Sequence, residues 1–324
     1  MTEQLHVLVT GGAGFIGSHL VDRLLMDRNV RVTVLDKLTY AGNMSNLEAH
    51  EGNERFSFVR GDIVDPDAVN PLVKDADRVI NAAAESFVDR SIDDASEFIL
   101  TNIVGTHVVL EACRSEQRAL LQVSTDEVYG STRAGAFGEE DPLRPNSPYS
   151  ATKASADLLC RAYHETYGVP VSVVRGSNAY GPRQHPEKAI PTFARAALRG
   201  QPLPVYGSGS NRREWLYVED FVKAIDTVMR KGESGHTYNI GGGHEIANLL
   251  LARMVCSIVE VPESLIAFVP DRPGHDLRYA LKWEPLARLG WNPQVAFHLG
   301  LASTIEWYRE NEDWSAAMLE ERKG

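Results

Sequence analysis

The sequence predicts an α/β fold, a doubly wound parallel sheet with a smaller C-terminal lobe. Three observations carry this expectation. Short β-branched runs alternate with helical stretches through the first half, which is the rhythm of βα units. A glycine-rich turn follows the first run directly, at the strand end where such sheets take ligands. After about Arg175 the rhythm loosens, and Pro182, Pro186, Pro191, Pro202 and Pro204 punctuate the chain; prolines at this density shorten elements and favour loops.

Taken in order, residues 5–9 read as the first strand, 15–26 as a helix and 30–35 as the second strand. Further strands are predicted at 56–60, 78–81, 120–124 and 171–175, with helices over 98–113 and 151–167. In the looser half, 215–229 and 237–240 could return to the main sheet.

The bulk composition narrows the function classes. With 324 residues, 43% of them hydrophobic and 24% charged, the chain can fill an ordinary globular core. Net charge is −11 and the pI is near 5.4. That argues against nucleic-acid binding, because phosphate backbones need clustered Lys and Arg. No apolar run is long enough to span a bilayer, and the N-terminus shows no signal-peptide layout. A cytoplasmic protein without membrane attachment is expected. Cys113, Cys160 and Cys256 form no CxxC pair and are expected as buried residues in a reducing compartment. The histidines show no zinc-ligand spacing, so no metal is expected.

Thr10-Gly11-Gly12-Ala13-Gly14-Phe15-Ile16-Gly17 lies between the first strand and the first helix, the arrangement of a Rossmann-like dinucleotide site. Gly11 permits the tight turn, Gly14 lets the backbone approach a pyrophosphate, and Gly17 lets helix and strand lie close. The helix start at Phe15 and Ile16 offers free N–H groups to phosphate. Asp36 ends the second strand, nineteen residues after Gly17. A carboxylate there accepts from ribose hydroxyls and repels a 2′-phosphate, so NAD is expected rather than NADP. Lys37 and Thr39 follow on the same loop; Lys37 reads either as a cofactor contact or as a solvated lysine. Asp62-Ile63 follows the third strand, where Asp62 reads equally as an adenine contact or a helix N-cap. Ala82, Ala83 and Ala84 follow the fourth strand and either lie against the cofactor or make a tight turn. Residues 1–175 are thus read as the NAD-binding domain, joined by part of 215–241, and 176–324 as a substrate-binding lobe.

Tyr149 and Lys153 stand four residues apart at the start of a predicted helix and share one face. A phenol is a poor base at neutral pH, but a nearby ammonium and a positive nicotinamide ring favour phenolate. Tyr149 could then take the proton of a substrate hydroxyl, and Lys153 could hold the ribose. Thr125, at a strand end, can hydrogen-bond the same substrate oxygen. Asp126 and Glu127 come next, two adjacent carboxyls whose protonation a closed site pushes apart.

In these motifs the chain resembles the extended short-chain dehydrogenases, and among them the dTDP-glucose 4,6-dehydratases. The resemblance runs almost end to end. It rests on Asp36-Lys37-Leu38-Thr39-Tyr40-Ala41-Gly42-Asn43, Ala83-Ala84-Glu85-Ser86, Ser124-Thr125-Asp126-Glu127-Val128-Tyr129-Gly130, Pro148-Tyr149-Ser150-Ala151-Thr152-Lys153, Trp215-Leu216-Tyr217-Val218-Glu219-Asp220 and Asp271-Arg272-Pro273-Gly274-His275-Asp276. It implies conversion of dTDP-glucose to dTDP-4-keto-6-deoxyglucose. The steps are oxidation at C4, loss of water across C5 and C6, and hydride return to C6, with NAD regenerated in each cycle. It implies Glu127 as the base at C5 and Asp126 as the acid for the C6 hydroxyl. It also implies Arg213 on the diphosphate, with Asn178, Lys188 and Asn248 nearby. Ser86, Arg272, His275 and Tyr279 complete the expected substrate contacts. Tyr206 reads either as a stacking partner for the base or as plain core.

Departures from the family pattern are visible. Phe87 stands where the family usually shows histidine. Gly241-Gly242-Gly243-His244 alters the usual order before Asn248, and Leu281-Lys282-Trp283 replaces an acidic turn. Rival readings on the same scaffold are a UDP-glucuronate decarboxylase or a nucleotide-sugar 4-epimerase; a non-catalytic NAD-binding regulator is the rival outside enzymes. The acidic pair argues against the regulator, since binding alone needs no acid and base. Apolar residues on more than one face of the predicted helices 98–113 and 151–167, such as Ile99, Val104 and Leu158, predict a homodimer.

Overall fold

The β-branched runs become strands covered on both faces, where such side chains fit the pleat. The computed structural model describes residues 4–271 and 275–320. The first half supplies β1 (Leu5–Thr10), β2 (Val30–Asp36), β3 (Phe56–Arg60), β4 (Arg78–Asn81), β5 (Ala119–Thr125) and β6 (Val171–Gly176). The second supplies β7 (Asn178–Tyr180), β8 (Leu203–Tyr206), β9 (Arg212–Tyr217), β10 (Thr237–Ile240), β11 (His244–Ala247) and β12 (Ile266–Val269). Among the described residues, a seven-stranded parallel sheet runs β10-β6-β5-β4-β1-β2-β3. The strand order reverses between β1 and β4, which opens a crevice at their carboxyl ends.

Helices cover both faces. Helix Phe15–Leu25 lies beside helix Val218–Lys231, and Leu20, Leu24, Phe221 and Ile225 share one core with Val7, Val9 and Ile80. On the other face Val69, Val73, Leu110, Cys113 and Cys160 pack against Leu8 and Leu120. A third core joins Tyr180, Phe193, Trp215, Leu251 and Phe297 in the later part of the chain, around the small sheets β11-β9-β7 and β12-β8. All three cysteines are buried and free. Among the described residues no helix is long and apolar enough to cross a membrane, and no cluster of His, Cys, Asp or Glu could hold a metal ion.

Three expectations are corrected. Of the piece 215–229, the helix packs on the main sheet, and Leu216 joins the same core, but no strand of it enters that sheet. Its strand portion is part of β9, in the small sheet, because β10 already occupies the place beside β6. The stretch 98–113 is not one α-helix. Ile99–Gly105 is a π-helical segment leading into helix Thr106–Glu116. There Asn102 accepts from the Glu85 N–H at 2.9 Å and donates to the Glu85 carbonyl at 3.0 Å and to Thr152 Oγ1 at 3.0 Å. This tertiary anchoring wins over regular helical winding. Finally, the Tyr149 helix starts earlier than expected, as Pro148–Tyr167. Ser147 and Ser150 form a reciprocal capping box, and Pro148 is pre-set for the first helical turn.

Candidate active site

The glycine turn can be tested residue by residue against the space around it. Gly11 has φ +69°, and a Cβ there would meet the Ala83 backbone at 2.7 Å. A Cβ on Gly17 would lie 2.0 Å from the Gly11 carbonyl oxygen. The protein's own backbone therefore requires both glycines. Gly14 differs: its nearest neighbour would be the Gly11 carbonyl at 3.3 Å, and beyond that Ala41 at 3.9 Å. Its missing side chain leaves a cradle at a helix N-terminus on the cavity wall, the shape and polarity that suit a pyrophosphate. Ser124 Oγ on the same wall is buried and has no hydrogen-bond partner among the described residues. These features fit a dinucleotide.

The cavity gathers every residue expected at the cofactor. Gly11, Gly14, Phe15, Ile16 and Gly17 form its floor side, with Asp36, Lys37, Thr39, Asp62, Ile63, Ala82, Ala83, Ala84, Tyr149 and Lys153 around it. Asp36 Oδ2 accepts from the Ala13 N–H at 3.0 Å, and Oδ1 from Leu38 at 2.8 Å. Burial pushes its carboxyl up, and those N–H groups oppose the push. Asp62 is not the helix cap. Asp65 caps helix Pro66–Asp75, while Asp62 bonds the Val64 N–H at 3.2 Å and lies 3.3 Å from Lys37 Nζ. Lys37 is accordingly paired rather than freely solvated. Two of the alanines are tied to the end of β1: the Ala82 N–H bonds the Thr10 carbonyl at 3.2 Å, and that of Ala83 bonds Thr10 Oγ1 at 3.3 Å.

The acidic turn closes β5. Thr125 caps a 3₁₀ turn over Asp126–Tyr129 by accepting from the Glu127 N–H at 3.3 Å, and it donates to Asp126 Oδ1 at 3.3 Å. Asp126 is 1% exposed, and its Oδ2 is buried without a hydrogen bond among the described residues. Burial, then the charges of Glu127 and Glu214, hold its carboxyl well above the usual carboxylate range, so the acid form is favoured. Thr125 and Asp126 lie behind the cavity walls, whereas Glu127 lines the second cavity. Tyr149 is buried, and its N–H donates to Ser91 Oγ at 3.1 Å. Lys153 Nζ donates to the Val123 carbonyl at 2.7 Å. Burial and the Glu127 charge push the Tyr149 phenol up, while its hydrogen bond with Thr125 opposes them.

A second cavity adjoins the first. Asn178, Lys188, Tyr206, Arg213, Asn248, His275 and Tyr279 line it with Glu127. Lys188 also lines the first cavity, and it donates to the Ser86 carbonyl at 2.8 Å. Ser86 itself lies on the first cavity. Arg213 donates to the Asp276 carbonyl at 3.0 Å and stacks over the Tyr279 ring at 4.7 Å. Tyr279 donates to Asp276 Oδ2. Tyr206 is 39% exposed at the mouth, with its ring edge-on to His275, so it is not plain core. Arg272 lies outside the described residues.

Sequence reasoning missed several groups. Glu214 is buried and accepts from the N–H groups of Gly243 at 2.7 Å and Leu281 at 2.8 Å. Its place beside Arg213 was the available signal. Tyr40 donates to Glu85 at 2.8 Å, while Arg90 lies 3.8 Å over the Tyr40 ring and pairs with Glu187 at 2.8 Å. Nothing in the spacing of these residues announces that they meet.

A switch-point crevice with a glycine turn, an aspartate ending β2 and a Tyr-x-x-x-Lys helix defines a dinucleotide-binding oxidoreductase scaffold. The family profile described as GDP-mannose 4,6 dehydratase matches residues 8–304. A dTDP-glucose 4,6-dehydratase of Streptomyces niveus is 48% identical over 96% of this chain and 94% of that protein. The low-salt glycan biosynthesis protein Agl12 of Haloferax volcanii is 49% identical over 95% of this chain and 100% of its own length. The crystal structure of DesIV, a dTDP-glucose 4,6-dehydratase from Streptomyces venezuelae with NAD bound, superposes with a TM-score of 0.94. The two share 46% identity, covering 97% of this chain and 100% of that one. The chain belongs to the extended short-chain dehydrogenase family of dTDP-glucose 4,6-dehydratases and GDP-mannose dehydratases.

Proposed function

We propose that the protein is an NAD-dependent dTDP-glucose 4,6-dehydratase, a lyase forming dTDP-4-keto-6-deoxyglucose. The observation that carries this is the acidic pair that ends β5, one member buried and favoured as an acid, the other on the wall of the second cavity. Simple epimerisation at C4 needs no such division. Residues 176–324 supply most of the substrate wall, and the glycine turn with Asp36 and Asp62 holds the dinucleotide. Bound NAD supplies the hydride acceptor, the later hydride donor and a positive ring that opposes the upward push on Tyr149. Tyr149 takes the proton of the C4 hydroxyl, and Thr125, behind the wall, orients the Tyr149 hydroxyl through their hydrogen bond. Lys153 holds the ribose. Once C4 is a ketone the C5 proton is acidic, and Glu127 removes it. Asp126 gives its proton to the departing C6 oxygen, because hydroxide is a poor leaving group. Asp126 lies behind the wall, so a small movement of the turn brings its proton to that oxygen. Arg213, Lys188, Asn178 and Asn248 take the diphosphate, for which a planar guanidinium is suited.

The test is the mass of products from dTDP-, UDP- and GDP-glucose. Dehydration removes one water; unchanged mass supports a 4-epimerase instead. We also propose a cytoplasmic homodimer. Ile99, Leu100, Val104 and Leu158 are 40–57% exposed on neighbouring helical segments, an apolar face that a second copy would cover. A light-scattering mass equal to one chain would overturn the dimer.

A further inference from the structure

Lys153 is 4% exposed on the wall of the first cavity, and its ammonium donates to the neutral Val123 carbonyl. A buried cation needs more than one carbonyl to stay charged. One helical turn further on, on the same face, Asp157 is equally buried. Its Oδ2 accepts from Arg175 Nε at 2.8 Å, whereas Oδ1 is buried and takes no hydrogen bond among the described residues. Arg175 does not depend on Asp157 alone. It also donates to the Tyr129 hydroxyl at 2.8 Å and to the Glu139 carbonyl at 3.1 Å. Half of the carboxylate is thus left for another cation, and Lys153 is the cation on its own helix face.

We propose that Asp157 is a positioning residue for Lys153: anchored by Arg175, it supplies the counter-charge that keeps the buried lysine an ammonium ion at the cavity wall. This rests on the proposed function only in taking Lys153 to serve the reaction. The other titratable groups around the pair do not replace it. Cys160, one turn from Lys153's neighbour, and Cys113 across from it are thiols that burial pushes up, Cys113 to about 12. Tyr149, one turn before Lys153, is a phenol pushed up in the same way. Arg175 on β6 is a cation. Burial pushes the Lys153 ammonium down, and Asp157 leads the influences that oppose it.

The test uses protein as purified, with lysine side-chain nitrogens labelled by ¹⁵N and the Lys153 signal assigned through Lys153→Arg. In Asp157→Asn the Lys153 amine should titrate about one pH unit or more below wild type, and Asp157→Glu should restore it. In Arg175→Gln, where Asp157 faces Lys153 alone, the amine should titrate higher than wild type. The alkaline limb of the activity profile should move in the same two directions. A merely structural Asp157–Arg175 pair would damage both variants alike without opposite shifts, and that result overturns the proposal. If Asp157→Asn does not fold, the Arg175→Gln titration decides: an upward move supports the proposal, and none refutes it. Product mass from the wild type tests the dehydratase reading separately.

Discussion

The glycine turn after β1 and the acidic turn after β5 are both short strand-to-helix connections, yet different forces hold them. The first is fixed by its own backbone. Gly11 and Gly17 have no room for a methyl group, and the obstructing atoms lie within seventeen residues of the N-terminus or in the facing Ala82–Ala83 backbone. The second is fixed by burial and charge that arrive from far along the chain. Glu214 on β9 raises Asp126, and Arg213 opposes it. One turn is sensitive to shape and the other to ionisation. A variant that distinguishes shape from charge should therefore hurt the two turns differently.

The largest effect is expected at the acidic pair. Asp126→Asn and Glu127→Gln keep size and lose acid–base function, so each should slow dehydration by about 10²–10⁴-fold while the protein stays folded. Single-turnover mixing in deuterated water separates the roles. Glu127→Gln should admit no deuterium at C5 of recovered sugar, whereas Asp126→Asn should exchange C5 without losing water. Equal exchange in both would show that the division of labour is wrong, or that the two carboxyls titrate together.

Next come the glycines. Gly17→Ala forces a Cβ to within 2.0 Å of a carbonyl oxygen and should cost about 3 kcal/mol of stability. Gly14→Ala meets its nearest atom at 3.3 Å, so it should unfold in urea within about 1 kcal/mol of wild type. Its loss should show instead in NAD: the wild type should carry NAD through purification, because the cycle regenerates it, and Gly14→Ala should carry little. If Gly14→Ala unfolds as readily as Gly17→Ala, the turn is shaped by the fold alone and the cradle is not a phosphate site.

This contrast also explains what the sequence discloses. β3 and β4 match their predicted limits, and the other early strands extend by one or two residues, because β-branched runs between turns leave few alternatives. The glycine spacing, Asp36 and the Tyr149–Lys153 pair are local patterns, and all of them line one cavity. The sequence also discloses that Asp126 and Glu127 are adjacent. It does not disclose that one is 1% exposed and the other on a cavity wall, since burial depends on segments distant in sequence that fold against the turn. The π segment Ile99–Gly105 was illegible for the same reason: Asn102 is held by Glu85 and Thr152, not by its helical neighbours.

A smaller effect follows from the raised Asp126 carboxyl. An acid whose folded value lies above its unfolded value binds a proton more tightly when folded. Its contribution to stability is therefore lost as pH rises from the ordinary 3.8 towards the folded value. Each pH interval of one between those two values corresponds to about 1.4 kcal/mol once both states have ionised. Asp126→Asn removes this slope. The variant should match the wild type in urea unfolding at pH below about 4 and become the more stable of the two as pH rises. A constant difference across that range would mean that Asp126 is not held as the acid.

The smallest effect concerns Phe87, where the family usually shows histidine. Its ring stands at the boundary of the two cavities and lines both. The Lys188 ammonium sits 4.0 Å and the Arg90 guanidinium 4.8 Å from the ring centre, and His185 and Tyr40 pack edge-on at 5.1 and 5.5 Å. The ring thus meets two cations, a shape-dependent contact like the glycine turn, but with charge as its partner. Phe87→His weakens that face. An imidazole between two cations stays neutral at pH 7, so it adds no compensating charge, and the lost cation–π contact should cost about 1 kcal/mol of stability. Turnover should change less than about tenfold, because Lys188 keeps its bond to the Ser86 carbonyl at 2.8 Å. Thermal unfolding and steady-state kinetics with dTDP-glucose measure the two. A rise in KM of about a hundredfold with unchanged stability would move Phe87 from the scaffold to the substrate contacts. A gain in stability would show that the two cations do not bind the ring at all.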